Sequence, residues 1–115
     1  MNMVADSLNS LILTYRAGAE GTAAADPKTA NKHQRQMHAA YKKLRVAQDG
    51  RVAISALMSD PSAHVRCWAA AHALEWNVEA AKSALLSLQN SGGPCSFDAE
   101  MTLEAFNKGQ LSFEY

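Results

Sequence analysis

Several things are scarce in this chain, and each scarcity closes off a class of protein. There are two cysteines, Cys67 and Cys95. That is too few for a disulfide framework, so two reduced thiols in a cytoplasmic protein is the simplest reading. No apolar run approaches the ~20 residues needed to cross a bilayer. The opening residues, MNMVADSLNSLILTYR, lack a basic start and a small-residue cleavage site, so no secretory signal is expected. No alternating run rich in Val, Ile and Thr occurs, which argues against a sheet. There is no P-loop, no Gly-x-Gly-x-x-Gly after a strand and no His-Glu-x-x-His. Cys-x-x-Cys is absent too, so neither a metal nor another cofactor is expected, and no enzyme activity. Net charge is zero, with 11 Lys and Arg against 11 Asp and Glu. That balance argues against a generic nucleic-acid binder.

What remains is a chain of 115 residues, which by length makes one domain. A chain of this size buries roughly two thirds of its unfolded surface, enough for a core without staples. The even charge balance hides a segregation. From Lys28 to Arg66 stand eight bases against Asp49 and Asp60, a net +6. From Gly92 onward stand Asp98, Glu100, Glu104 and Glu114 against Lys108, a net −3. Either stretch is a candidate docking surface; the alternative is that they neutralise one another in the fold.

Helical periodicity accounts for nearly the whole chain. Val4, Leu8, Leu11, Ile12 and Tyr15 form one stripe of a helix over about 4–18, with Asp6 or Ser7 as its cap and Gly18 and Gly21 as stop signals. Asp26-Pro27 starts a second helix to about Gln48, with Ala30, Met37, Tyr41 and Leu44 inward, and Asp49-Gly50 breaks it. A short third helix covers about 51–59, with Ile54, Leu57 and Met58 inside. The fourth covers about 61–75. The fifth runs from Val78 to about Gln89, burying Val78, Ala81, Leu85 and Leu88, with Asn77 as cap. Asn90-Ser91-Gly92-Gly93-Pro94 is the strongest loop signal, and a sixth helix spans about Phe97 to Asn107. Six short helices with short turns predict an all-α domain of antiparallel hairpins.

The central segment, LMSDPSAHVRCWAAAHAL, places a turn between two helices. Asp60 is the expected cap, Pro61 fits the first helical position, and Val65, Trp68, Ala69 and His72 recur at helical spacing. An ordinary capped hairpin would carry the same residues. Asp60-Pro61, then Val65-Arg66, then Ala69–Ala71 also resembles the turn of a HEAT repeat, in which the Val packs inward and the Asp and Arg bond along the stack. Two further segments, NKHQRQMHAAYKKL at Asn31–Leu44 and DAEMTLEAFNKGQL at Asp98–Leu111, extend the likeness. The chain resembles a family of small bacterial HEAT-like (ARM-like) domains known mainly as a domain of unknown function. The resemblance implies a helical stack and protein binding, and it carries over no catalytic residue.

His64, Cys67 and His72 invite a metal or nucleophile. His64 and Cys67 share a helix face, but His72 lies about 500° round from Cys67 and points elsewhere. A zinc site wants four ligands, and a catalytic cysteine an exposed thiolate beside a base. Cys67 reads as a packed helix position and Cys95, after Gly-Gly-Pro, as an exposed loop thiol. Glu100 and Glu104 sit one turn apart, the usual spacing of a solvated face. Lys32, Arg35, Lys42, Lys43 and Arg45 surround Tyr41; phosphate contact is one reading, a solvated face over a buried Tyr41 the other. Trp68 reads as core, while Trp76, beside a turn, is the better candidate for exposure.

Size, helical class and the lack of a catalytic site resemble immunity proteins of bacterial toxin systems such as contact-dependent growth inhibition. Such a protein is expected to bind its cognate toxin, a nuclease domain in the favoured reading, and cover its active site as a monomer in a heterocomplex. It touches neither nucleic acid nor membrane directly. An acidic surface would complement the basic surface a nuclease presents to its substrate. The expected docking residues are Asp98, Glu100, Glu104 and Glu114, with Trp76 or Tyr115 as aromatic anchor. A scaffold or adaptor module is the alternative.

Overall fold

Aspartate before proline does locally what the sequence suggests at one of its two occurrences. Asp26 has extended backbone and its carboxylate accepts from the backbone N–H of Thr29 at 3.1 Å and from the Thr29 hydroxyl at 2.7 Å. The computed structural model describes residues 5–114, with side chains from residue 7. Its elements are α1 (Ala5–Gly21), α2 (Pro27–Leu44), α3 (Gln48–Ala56), a 3-10 turn (Leu57–Ser59), α4 (Ala63–Ala73), α5 (Val78–Asn90) and α6 (Ser96–Asn107). The fold is all-α, and no strand occurs among the described residues. Val4 and Tyr115 lie outside them. The chain divides into two compact units, residues 1–57 and 58–115.

The first unit is built on the α1/α2 hairpin. α1 does not stop at Gly18. Both glycines are helical, and their role is close approach. A Cβ on Gly18 would stand 2.8 Å from the Met37 Cβ, and one on Gly21 2.2 Å from the His33 ring. Later residues of α1 thus meet earlier residues of α2, which makes the pair antiparallel. Because α1 already includes Asp6 and Ser7, neither is its cap. Tyr15, Ala19, Met37, Tyr41, Leu44 and Ile54 are fully buried, each large side chain contributing about 1.5–3 kcal/mol by leaving water.

α2 ends at Leu44, four residues before the expected end, and Asp49-Gly50 lies in the first turn of α3 rather than breaking the chain. The break is at Arg45–Ala47. A carboxylate in a first turn is favoured by the helix dipole, and Gly50 lets α3 start directly against α2: a Cβ there would lie 2.0 Å from the Leu44 carbonyl oxygen. Arg51 Nε donates to the Arg45 carbonyl at 2.7 Å, closing the corner.

The second unit buries Ala70, Ala73, Leu74, Ala81, Leu85, Leu88, Ala99 and Leu103 together with both cysteines. α4 starts two residues later than the Asp60-Pro61 signal suggests. Its cap is Ser62, whose Oγ accepts from the Val65 N–H at 3.5 Å. Asp60 acts one step earlier, its carboxylate accepting from the Ser62 N–H at 2.9 Å. Arg66 folds back on the turn, donating to the carbonyls of Asp60 and Pro61 at 2.8 and 3.0 Å. Val65 is fully buried, as expected. Val78 is not: it stands at the surface in the first turn of α5. Asn77 caps nothing with its side chain; its N–H donates to the Ala73 carbonyl at 2.7 Å. No described helix is long and apolar enough to cross a membrane.

Candidate functional site

α6 closes the chain's acidic segment and has two unlike faces. Ala99 and Leu103 point into the core, with Phe106 half-buried beside them. The helix is closed by a Schellman motif, in which Gly109 N–H bonds to the Phe106 carbonyl at 3.0 Å and Gln110 N–H to the Ala105 carbonyl at 2.8 Å. Gly109 has φ +69°, the left-handed conformation this motif needs. On the outer face Phe97 is 68 % exposed and Met101 45 % exposed. Four residues apart, they stand on one side of the helix.

The acids surround this pair. Asp98 is exposed in the first turn, where the dipole favours it. Glu100 and Glu104 do share a face. They line a groove of about 530 Å³ with Lys82, Leu86 and Gln89 of α5, and Leu86 in it is 49 % exposed. The two glutamates are not equivalent. Glu104 pairs with Lys108 at 2.7 Å, and that hydrogen bond and charge hold its carboxyl below the usual range. Glu100 has no ion-pair partner among the described residues. Lys82, on the α5 side, lies with its ammonium 5.4 Å from the Phe106 ring centroid.

The remaining expected residues scatter. Trp76 is half-buried and packs against the core. Glu114 is exposed beside a hollow of about 280 Å³, lined also by Leu74, Glu75, Phe106 and Phe113. Burial raises the Glu75 carboxyl above its ordinary value, and the charge of Glu114 raises it further. Tyr115 lies outside the described residues. Sequence reasoning missed Phe97, Met101 and Leu86. A signal was present: on the 3.6-residue period Phe97 and Met101 fall opposite Ala99 and Leu103, so one of the two apolar sets had to face outward.

The thiols and imidazoles assort differently from their sequence spacing. Cys95 is not exposed. It is 2 % accessible and its Sγ lies 3.3 Å from His64 Nδ1, 31 residues away. Cys67 is buried as expected. Burial pushes its thiol up to about 12, aided by the charges of Cys95 and Asp98. Burial raises Cys95 as well, and Arg66 opposes the rise. His72 faces away from them, stacked on Trp68 at 5.7 Å and edge-on to Phe113 at 4.6 Å. No group of three or more His, Cys, Asp or Glu among the described residues is placed to hold a metal ion.

In the first unit Lys28, Lys32, Arg35, Lys42 and Lys43 are exposed on α2. Arg45 instead lies over the Tyr41 ring at 5.0 Å and donates to its hydroxyl at 3.1 Å. Tyr41 is fully buried, so it offers no face to a base. Comparison with protein-family models, with curated proteins and with solved structures finds no match for this chain.

Proposed function

We propose that this chain is a protein-binding module whose docking face is the outer side of α6 with the α5/α6 groove. One observation carries the reading: Phe97 and Met101 are exposed on a helix whose other exposed residues include Asp98, Glu100 and Glu104. Apolar anchors ringed by charge are the usual anatomy of an interface. The acids select a basic partner and speed its encounter. A nuclease toxin domain presents such a surface to its polyanionic substrate, so an immunity protein that covers it fits this face. The HEAT-like turn at Asp60–Arg66 belongs to the same reading, as scaffolding.

On this reading a secreted-toxin gene should end just before this one, and the test uses the toxin domain it encodes; a metabolic gene there would favour an adaptor role instead. Glu100→Lys with Glu104→Lys should keep the helical spectrum, slow association and weaken binding, with the loss shrinking at high salt. Phe97→Ala with Met101→Ala should weaken binding at every salt concentration. Wild-type binding and protection by both double variants would remove this face from consideration.

A second reading rests on the exposed bases of α2. A phosphate-dependent binder would hold generic RNA with an affinity that falls steeply with salt. Micromolar binding at physiological salt, lost on neutralising Lys42 and Lys43, would favour it over the first.

A further inference from the structure

Three side chains from two parts of the chain meet where α6 begins. His64 and Cys67 stand one turn apart on α4, and Cys95 is the residue immediately before α6. Cys95 Sγ is within hydrogen-bonding distance of His64 Nδ1, at 3.3 Å. Cys95 and Cys67 belong to one buried cluster, and the charge of Cys95 helps to raise the Cys67 thiol. This is a dithiol with a base attached, and the docking role does not use it. We propose that Cys67 and Cys95 are a redox pair, joined into a reversible disulfide by hydrogen peroxide, with His64 taking the proton from Cys95.

Cys95 reacts first, because it holds the histidine and adjoins the surface. Gly92, Gly93 and Pro94, just before it, are exposed, and Gly92 has open space around its Cα. His64 is half-buried, so its ring is partly open to water. In the first step the Cys95 proton passes to His64, and the sulfur attacks one peroxide oxygen. The O–O bond breaks and the leaving hydroxide recovers the proton from His64, giving a sulfenic acid and one water. In the second step the Cys67 sulfur attacks the Cys95 sulfur. The S–O bond breaks, and the departing hydroxide takes the Cys67 proton as the second water. Two thiols lose two electrons in all, and the peroxide gains them. The reaction is slow, since burial holds both thiols protonated and only the thiolate attacks. The product is durable for the same reason, as a thiol of high pKa is a poor leaving group.

The full chain, reduced and then treated with hydrogen peroxide, is read by intact mass without reductant. A loss of about 2 Da in the monomer, reversed by dithiothreitol and mapped to a Cys67–Cys95 peptide, is expected. The bridged form should melt about 5 °C or more above the reduced one, because the link constrains the unfolded chain. Cys67→Ser should leave a sulfenic acid on Cys95 that a dimedone probe captures. His64→Gln should slow bridging at neutral pH roughly tenfold or more. An unchanged mass, a gain of about 32 Da on one cysteine without bridging, or a disulfide between two chains would each overturn the pair. These readings use the wild-type protein and do not depend on how a variant folds. Bridging at the wild-type rate in folded His64→Gln would overturn the role of the histidine.

Discussion

The two compact units of this molecule are nearly equal in length and opposite in charge. Residues 1–57 hold eight Lys and Arg against four Asp and Glu, a net +4; residues 58–115 hold three against seven, a net −4. The zero total is therefore the cancellation of two strongly polarised halves. The boundary at Leu57/Met58 also assigns Arg66 and Asp60 to the acidic unit. Their cores differ as well. The first buries tyrosines, methionine and leucine between helices brought together at Gly18, Gly21 and Gly50. The second buries alanines, leucines and both cysteines. Net charge consequently says little about whether such a chain binds through charge, because a partner meets one face and not the sum.

The sharpest way to break this comparison is to damage one core and watch the other. Tyr41→Ala should cost about 3–5 kcal/mol in the first unit and Leu85→Ala about 2–5 kcal/mol in the second. Hydrogen exchange should show protection lost first in the unit that carries the change. Equal loss throughout would mean that the two cores fold as one. A smaller effect tests the α4 register. Val65→Ala should cost about 1–3 kcal/mol in denaturant unfolding, since Val65 is fully buried; a neutral result would contradict its inward placement.

Smaller again, Asp60→Ala should cost about 1 kcal/mol through the lost bond to the Ser62 N–H, while Pro61→Ala should be close to neutral, as Pro61 is exposed outside α4. The subtlest contrast is with pH. Thr29 holds the Asp26 carboxyl below its ordinary value of 3.8. Its contribution to the first unit is present above that value and lost as pH falls through the lowered one. Glu75 is shifted the other way, above 4.5. The second unit should accordingly lose stability as pH rises from 4.5 through that raised value, when a partly desolvated charge forms beside Glu114. Urea unfolding across pH 3 to 7 reads both trends, and Glu114→Gln should shrink the second one.

Much of this fold was legible in the residues. The all-helical class, six helices and most of their inner faces follow from the 3.6-residue period, since the residues that set it lie within a turn of one another. Asp26 as a cap is equally local: the group it satisfies is three residues away. What the sequence could not decide was every feature resting on distant residues. Gly18, Gly21 and Gly50 look like helix breakers until the neighbouring helix is seen against them. Ser62 displaces Asp60 as cap because Arg66 and the Ser62 N–H already occupy the Asp60 turn. Cys95 looked like an exposed loop thiol because nothing near it in sequence covers it; α4, about thirty residues earlier, does. The outward face of α6 was undetermined for the same reason. Both of its apolar sets satisfy the helical period, and only packing against α5 selects which is buried. Periodicity is a property of one helix, and the choice of a partner for each face is a property of the assembled chain.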